Sequence, residues 1–247
     1  MTKPVLLITG GTRGIGAAVA RHAARAGWIV HVWGRDVHSG EALAHALSDC
    51  PGECFYRQVD VTDYVTLERE YARLAGEHHV AYAFNNAGIS AAGSLATVDV
   101  DTVRHCFDTN VFGLWANLRF QLADMTNAGQ GVIVNNHSIH AVRAVFPGVG
   151  IYAASKAAGA ALTRAAALEA GPAGIRVNGI APGPVDTKMY HQSLVDSADA
   201  HAWPSLIPLG RIGTEDEVAE TVMFLFSSGA AFINGQIIGI DGGASCY

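Results

Sequence analysis

Tyr152 and Lys156 stand four residues apart in Tyr152-Ala-Ala-Ser-Lys156. On a helix that spacing puts both on one face, one turn apart. A phenol is protonated at neutral pH, because its unperturbed pKa is about 10. An ammonium held close to it favours the phenolate and draws that pKa down. A drop of about 3 units requires about 4 kcal/mol of differential stabilisation. The product is an acid or base poised for proton transfer at a carbonyl or an alcohol. Alone, the spacing is common on solvated helix faces. It gains meaning only if the rest of the chain supplies a redox partner and a site.

The first such element is near the start. Val5-Leu-Leu-Ile-Thr9 is a short apolar run of the kind a buried parallel strand makes. It enters Gly10-Gly-Thr-Arg-Gly14-Ile-Gly16, and Ala17 to Ala26 then favours helix. Strand, glycine loop and helix together let a diphosphate approach the main chain and meet the helix's free N–H groups. Gly27 ends that helix, and Trp28 to Trp33 reads as the second strand. Gly34-Arg35-Asp36 follows at the place where dinucleotide folds meet the adenosine ribose. An acidic residue there binds a free 2′-hydroxyl, whereas a guanidinium can fork onto a 2′-phosphate. Arg35, with Arg13 in the glycine loop, therefore points to NADP(H) over NAD(H), and Asp36 is expected to cap the next helix.

The remaining elements alternate in the same way. Helices are expected from Glu41 to Leu47 and from Asp63 to about Gly76, with strands at Cys54–Val59 and Val80–Phe84. Asp60 ends a strand, where it either accepts from the adenine amino group or caps the helix that follows. Asn85-Asn86-Ala87-Gly88 is a small polar turn open to a cofactor. Val100 to about Met125 reads as one long helix, with Asn110 marking a kink or a water site because Asn is a poor interior helix residue. Strands follow at Val132–Asn135, Ile175–Ile180 and Gln236–Ile240. The Tyr152 helix runs to about Ala170, and Thr214-Glu-Asp-Glu217 is a capping box for a helix to about Ser227. Residues 187–211 show no clean period and carry aromatic side chains, as a lid over a binding site does. Alternating strands and helices define an α/β fold, a doubly wound parallel sheet of seven strands covered on both faces, with ligands at the strand C-termini. No linker divides the 247 residues, so a single domain is expected.

Composition narrows the partners. Half the residues are hydrophobic, 15% are charged, and the formal net charge is −6 with no basic run. Nucleic acid and anionic membrane surfaces are thereby disfavoured. No apolar stretch reaches the roughly 18 residues that span a bilayer, and the start lacks a signal-peptide cleavage pattern. Cys50, Cys54, Cys106 and Cys246 show no zinc spacing and read as reduced thiols in a cytoplasmic protein. The dispersed histidines give no metal site.

With these residues in place, the sequence resembles the short-chain dehydrogenase/reductase family along nearly its whole length, and within it the ketoreductases similar to 3-oxoacyl-carrier-protein reductases. Thr9-Gly10-Gly11-Thr12-Arg13-Gly14-Ile15-Gly16 matches the family's glycine loop, and Asn85-Asn86-Ala87-Gly88 its second turn. Asn110, Ser138, Tyr152 and Lys156 match its catalytic tetrad. Asn178 to Thr187 matches the segment that closes over nicotinamide, including Pro182, Gly183, Val185 and Thr187. Arg35 matches the basic position of NADP-preferring members, and Val61, next to Asp60, is expected on the cofactor side. The resemblance implies reduction of a small-molecule carbonyl to an alcohol, with Tyr152 donating the proton. Ser138 would hold the substrate oxygen, Lys156 would tune the tyrosine and bind ribose, and Asn110 would hold a relay water. It further implies a homotetramer, or a homodimer. One departure stands out: Tyr152 follows Ser138 by 14 residues, where many members have 13.

Substrate residues lie in the parts that match least. His140 and Arg143, just past Ser138, and Tyr190 and Trp203 are candidates for the pocket wall. Phe112 and Trp115 are candidates either for that wall or for the core. His137 also flanks the serine without a counterpart in the shared motifs. The competing readings are an NAD-dependent alcohol dehydrogenase working oxidatively, a nucleotide-binding regulator that has lost its chemistry, and an epimerase or dehydratase on the same cofactor.

Overall fold

Every residue of Val5–Thr9 (β1) is buried, as an unbroken apolar run requires of a strand covered on both faces. The computed structural model describes residues 3–143, 146–196 and 203–246. In it six more strands join β1: β2 (Ile29–Gly34), β3 (Glu53–Gln58), β4 (Tyr82–Asn85), β5 (Gly131–Asn136), β6 (Ile175–Pro182) and β7 (Ile237–Ile240). All pair in parallel, in the order β3-β2-β1-β4-β5-β6-β7. The single seven-stranded, Rossmann-like α/β sheet is thus the one expected. Its order reverses between β1 and β4, and the connections diverge there to open a crevice at the strand C-termini.

The period of two along each strand divides the core. Leu6, Ile8, Val30, Val32, Phe84 and Val134 face α1 (Gly14–Arg25) and the late helix Glu215–Phe226. Leu7, Trp33, Ala83, Ile133 and Val177 face the other layer. That layer holds α3 (Tyr64–Glu77), α5 (Leu114–Ala128) and α6 (Gly150–Ala170). The helix α2 (Val37–Ala46) packs beside β3 at the sheet edge.

Helix entries are mostly closed by side chains. Asp36 accepts from the Ser39 N–H to cap α2, as expected, and Asp63 accepts from Thr66 to cap α3. Asp99 caps α4 (Val100–Phe107), and Thr214 with Glu217 forms the expected capping box. At α1 the residue before the helix, Arg13, makes no side-chain cap, which leaves the first-turn N–H groups available to an anion.

Two expectations change. Residues 100–125 are not one regular helix: α4 passes into a π-helical turn, Asp108–Gly113, before α5. Asn110 lies within that turn, in keeping with the kink expected there. The segment 187–211 is more regular than its sequence suggests. It contains α7 (Lys188–Asp196) and the short α8 (Trp203–Leu206), while residues 197–202 lie outside those described. The helix Glu215–Phe226 is α9.

Candidate active site

The crevice is framed by the glycine loop and the turn after β4. Gly10 has φ +62°, in the left-handed region, and a Cβ there would stand 2.7 Å from the Ala87 Cα. Only glycine meets both demands. Thr9 Oγ1 accepts from the N–H groups of Asn86 and Ala87, at 3.2 and 3.3 Å, and Asn86 Nδ2 donates to the Gly10 carbonyl at 2.7 Å. The two loops therefore hold each other. Thr12 lies beside Gly34, where a Cβ would meet the threonine methyl at 2.8 Å. Gly14 and Ile15 open α1, and Gly16 is buried behind them.

Around the crevice mouth stand Arg13 and Arg35, both exposed. Arg13 lies 3.9 Å from Asp36, and Arg35 lies 3.7 Å from Asp60. Asp60 also accepts from the N–H and hydroxyl of Thr62, at 2.9 and 2.8 Å, so it organises the turn into α3 while Asp63 does the capping. Val61 is buried next to it. On the far side Pro182 ends β6, and the Gly183 N–H donates to the Ile240 carbonyl at 3.0 Å. Val185 bridges to Gly213. Thr187 accepts from Tyr190 N–H, and its methyl would lie 3.9 Å from a Cβ on Gly14. The segment thus faces the glycine loop across the crevice. The uncapped α1 N-terminus, the Gly10 cradle and a buried Asn136 Oδ1 without a hydrogen bond among the described residues fit a dinucleotide.

The tetrad converges at the same strand ends. Ser138 follows β5, and Tyr152 and Lys156 lie in the first turns of α6. Ser138 stands close enough to the Tyr152 phenol to pull its pKa down, and Ser138 Oγ accepts the His140 N–H at 3.2 Å. Lys156 is buried, donates to the Asn136 carbonyl at 2.9 Å, and places Nζ 5.7 Å from the Tyr152 ring centroid. Asn110 clamps Ile89 at both ends, with Oδ1 accepting its N–H and Nδ2 donating to its carbonyl, each at 2.9 Å. Asn110 Nδ2 also donates to Ser155 Oγ at 3.0 Å. Gly88 marks how near these groups come: a Cβ there would lie 3.0 Å from Lys156 Nζ and 3.2 Å from Asn110 Oδ1.

The electrostatics correct one expectation. The Tyr152 phenol ends above its ordinary value, not below it. Burial pushes the Tyr152 phenol up to about 12, against a smaller downward pull from the Ser138 hydroxyl. Burial pushes the Lys156 ammonium down to about 8. Loss of water disfavours the charged form of each group, and the ammonium donates to a main-chain carbonyl rather than to the phenol.

The substrate-side candidates separate. The His140 ring stands edge-on to Tyr152, with centroids 6.1 Å apart, and to Trp203 at 5.9 Å. Trp203 is buried against Ile139, with Phe146 edge-on at 5.0 Å and half-buried Tyr190 packed against the same cluster. Arg143 is exposed at the start of the loop. The longer loop before Tyr152 is tied down where Gly148 carbonyl accepts the Gly93 N–H at 2.9 Å; residues 144–145 lie outside those described. Phe112 and Trp115 line neither pocket nor core. They are 49% and 46% exposed, because Asn110, Gly113, Ala116 and Asn117 take the inward face of the π turn and α5.

His137, unlike His140, turns into the core. It is buried, and its Nε2 lies 2.8 Å from Thr163 Oγ1. Asn135 donates to the same hydroxyl at 2.8 Å, and Asn85 links Asn135 to Gln121 and thence to Tyr71. This buried chain stitches β4 and β5 to α3, α5 and α6. Its one legible signal was polar residues inside otherwise apolar strands. Cys106 and Ser155, which flank Asn110, carried no sequence signal. Two shallow hollows elsewhere, lined by α5 with α6 and by α3 with α5, include none of the tetrad. Among the described residues no three His, Cys, Asp or Glu groups are placed to hold a metal ion, and no helix is long and apolar enough to cross a membrane.

A dinucleotide crevice carrying Ser, Tyr and Lys at the strand ends defines an oxidoreductase of carbonyl and alcohol groups. The family model described as enoyl-(acyl carrier protein) reductase matches residues 10–245. The chain is 34% identical over 239 residues to the 3-oxoacyl-[acyl-carrier-protein] reductase FabG of Chlamydia trachomatis, covering 96% of this chain and 95% of that protein. It is also 34% identical to the 2,5-dichloro-2,5-cyclohexadiene-1,4-diol dehydrogenase of Sphingobium indicum over 242 residues, covering 96% and 95%. Among solved structures, ElxO with NADP bound superposes with a TM-score of 0.90 at 30% identity, covering all of both chains. The protein belongs to the short-chain dehydrogenase/reductase family.

Proposed function

We propose that the protein reduces a small-molecule ketone to an alcohol with NADP(H). The observation that carries this is the convergence of Tyr152 and Ser138 at the strand ends, with Lys156 one turn on and the glycine loop alongside. A nicotinamide dinucleotide bound in the crevice supplies hydride to a carbonyl carbon in reduction, or accepts it in oxidation. The first-turn N–H groups of α1 and the backbone of Gly10 to Gly16 hold its diphosphate. Asp60, Val61, Asn86, Ala87 and Gly88 line the adenosine side, and Pro182, Gly183, Val185 and Thr187 the nicotinamide side.

The chain's own residues do the acid–base work. Ser138 and Tyr152 hydrogen-bond the substrate oxygen and stabilise the charge that develops there. Tyr152, protonated at neutral pH, donates its proton to that oxygen. Lys156 then faces the tyrosinate as a cation and also binds the ribose hydroxyls. Asn110 Oδ1 and Lys156 Nζ both approach Gly88, which supports a relay water between them.

Three observations favour NADP(H) over NAD(H). Arg13 and Arg35 flank the ribose position. Thr12 crowds Gly34, so that strand end has no room for the acidic side chain that selects a 2′-hydroxyl. One structural neighbour is NADP-bound. Fluorescence titration with NADPH and NADH tests the reading. NADPH binds at least about tenfold more tightly, and Arg35→Ala weakens NADPH by about tenfold while leaving NADH nearly unchanged. Equal affinities for the two in the wild type would instead favour the oxidative, NAD-dependent dehydrogenase. The four free thiols suit the reducing cytoplasm. The exposed Phe112, Trp115 and Leu168 suit burial between copies in a homotetramer or homodimer. Residues 187–211 serve as the lid over the substrate, with Tyr190, Trp203, His140 and Arg143 around its site.

A further inference from the structure

We infer that His140 selects the substrate: the site takes a ketone that carries a second oxygen function close to its carbonyl, on an apolar body. This rests on the reading of Tyr152 as the proton donor.

Three features of one side chain converge on it. Its main-chain N–H is bonded to Ser138 Oγ, so the ring is tied to the group that receives the substrate oxygen. Its ring stands edge-on to Tyr152 at 6.1 Å, beside the place where that oxygen docks. Its Nδ1 is buried without a hydrogen bond among the described residues. The Arg143 main chain approaches the ring but gives Nδ1 no bond of acceptable geometry. A buried polar atom left unpaired is costly, and the cost is recovered when a ligand supplies the partner. The imidazole is held neutral by burial, so it offers one donor and one acceptor to an uncharged hydroxyl or carbonyl. It does not offer a counter-charge to a carboxylate.

The walls set the rest of the substrate. Trp203 stands edge-on to the same imidazole at 5.9 Å, and Phe146 stands edge-on to Trp203. Aromatic groups beside one polar atom suit an apolar body bearing an oxygen beside the reacting carbon. In the reverse direction the same geometry takes a diol.

The test is a comparison of kcat/KM for matched ketones, cyclohexanone against 2-hydroxycyclohexanone and 1,2-cyclohexanedione, with each nicotinamide. Wild type, His140→Phe and His140→Gln are compared. Wild type prefers the oxygenated partners by about tenfold or more. His140→Phe, which keeps a flat ring and loses the hydrogen bond, brings that ratio towards one, because kcat/KM falls by more for the oxygenated ketones than for cyclohexanone. His140→Gln retains part of the preference. A ratio unchanged in His140→Phe, or an equal fall for every substrate, overturns the role of His140 and leaves Tyr152 untouched. A wild type that reduces cyclohexanone as well as its partners does the same. A wild type that binds dinucleotide yet reduces none of these or a wider ketone panel overturns both this inference and the reductase reading on which it rests.

Discussion

Burial acts in opposite directions on Tyr152 and Lys156, raising the phenol to about 12 and lowering the ammonium to about 8. The consequence is directional. Below about pH 8 the tyrosine is protonated and the lysine charged, which is the state that donates a proton to a reduced carbonyl and then stabilises the tyrosinate. Alcohol oxidation needs the tyrosinate at the outset, and its population rises about tenfold per pH unit until the phenol titrates. Reductive kcat/KM is therefore flat from about pH 6 to 8 and falls above it, while oxidative kcat/KM climbs between about pH 7 and 10. Profiles in both directions check this. An oxidative profile already level at neutral pH would mean that the phenol titrates below it. The type and spacing of these two residues were legible in the sequence. The sign of the tyrosine's shift was not, because spacing along a helix does not say how much water either group loses or which acceptor the ammonium finds.

The strands and helices were largely legible, because apolar runs of five or six residues and capping residues are local signals. What needed the structure was contact between elements. The π turn at Asp108–Gly113 arises where Asn110 reaches across to Ile89, a bond no local pattern announces. The same holds for the two buried histidines. His31, on β2, meets His78 at 3.1 Å, and burial lowers it to about 4. His137, just after β5, is lowered to about 3 by burial and by the nearby Lys156 and Arg164 charges. Both folded values lie below the unfolded value, so the neutral form is favoured by folding. The stability they contribute is present above about pH 6.5 and is lost as pH falls through 4 and 3. Each costs on the order of 3 kcal/mol by about pH 4. Urea unfolding from pH 7 to 4 should show this fall, and His31→Gln should make it shallower by about one proton. An unchanged slope in that variant would mean that His31 takes up its proton in the folded protein.

At the scale of the whole molecule, one sheet order does most of the positioning. The reversal between β1 and β4 opens the crevice. β1 and β4 present the glycine loop and the Asn86 turn, and β5 presents Ser138 beside the α6 helix that carries Tyr152 and Lys156. That convergence was readable in advance, because every polar motif falls at a strand's C-terminal end. The pocket wall was not. Phe112 and Trp115 lie outward, and Trp203 reaches His140 from a helix more than 60 residues further along the chain. The central claim is that Tyr152 delivers the proton while the crevice holds the dinucleotide independently of it. Tyr152→Phe, assayed for NADPH oxidation with reducible ketones and for NADPH binding by fluorescence, measures both at once. The account predicts turnover below about 1% of wild type with NADPH affinity within about threefold. Turnover above a few per cent of wild type, with affinity intact, would contradict it.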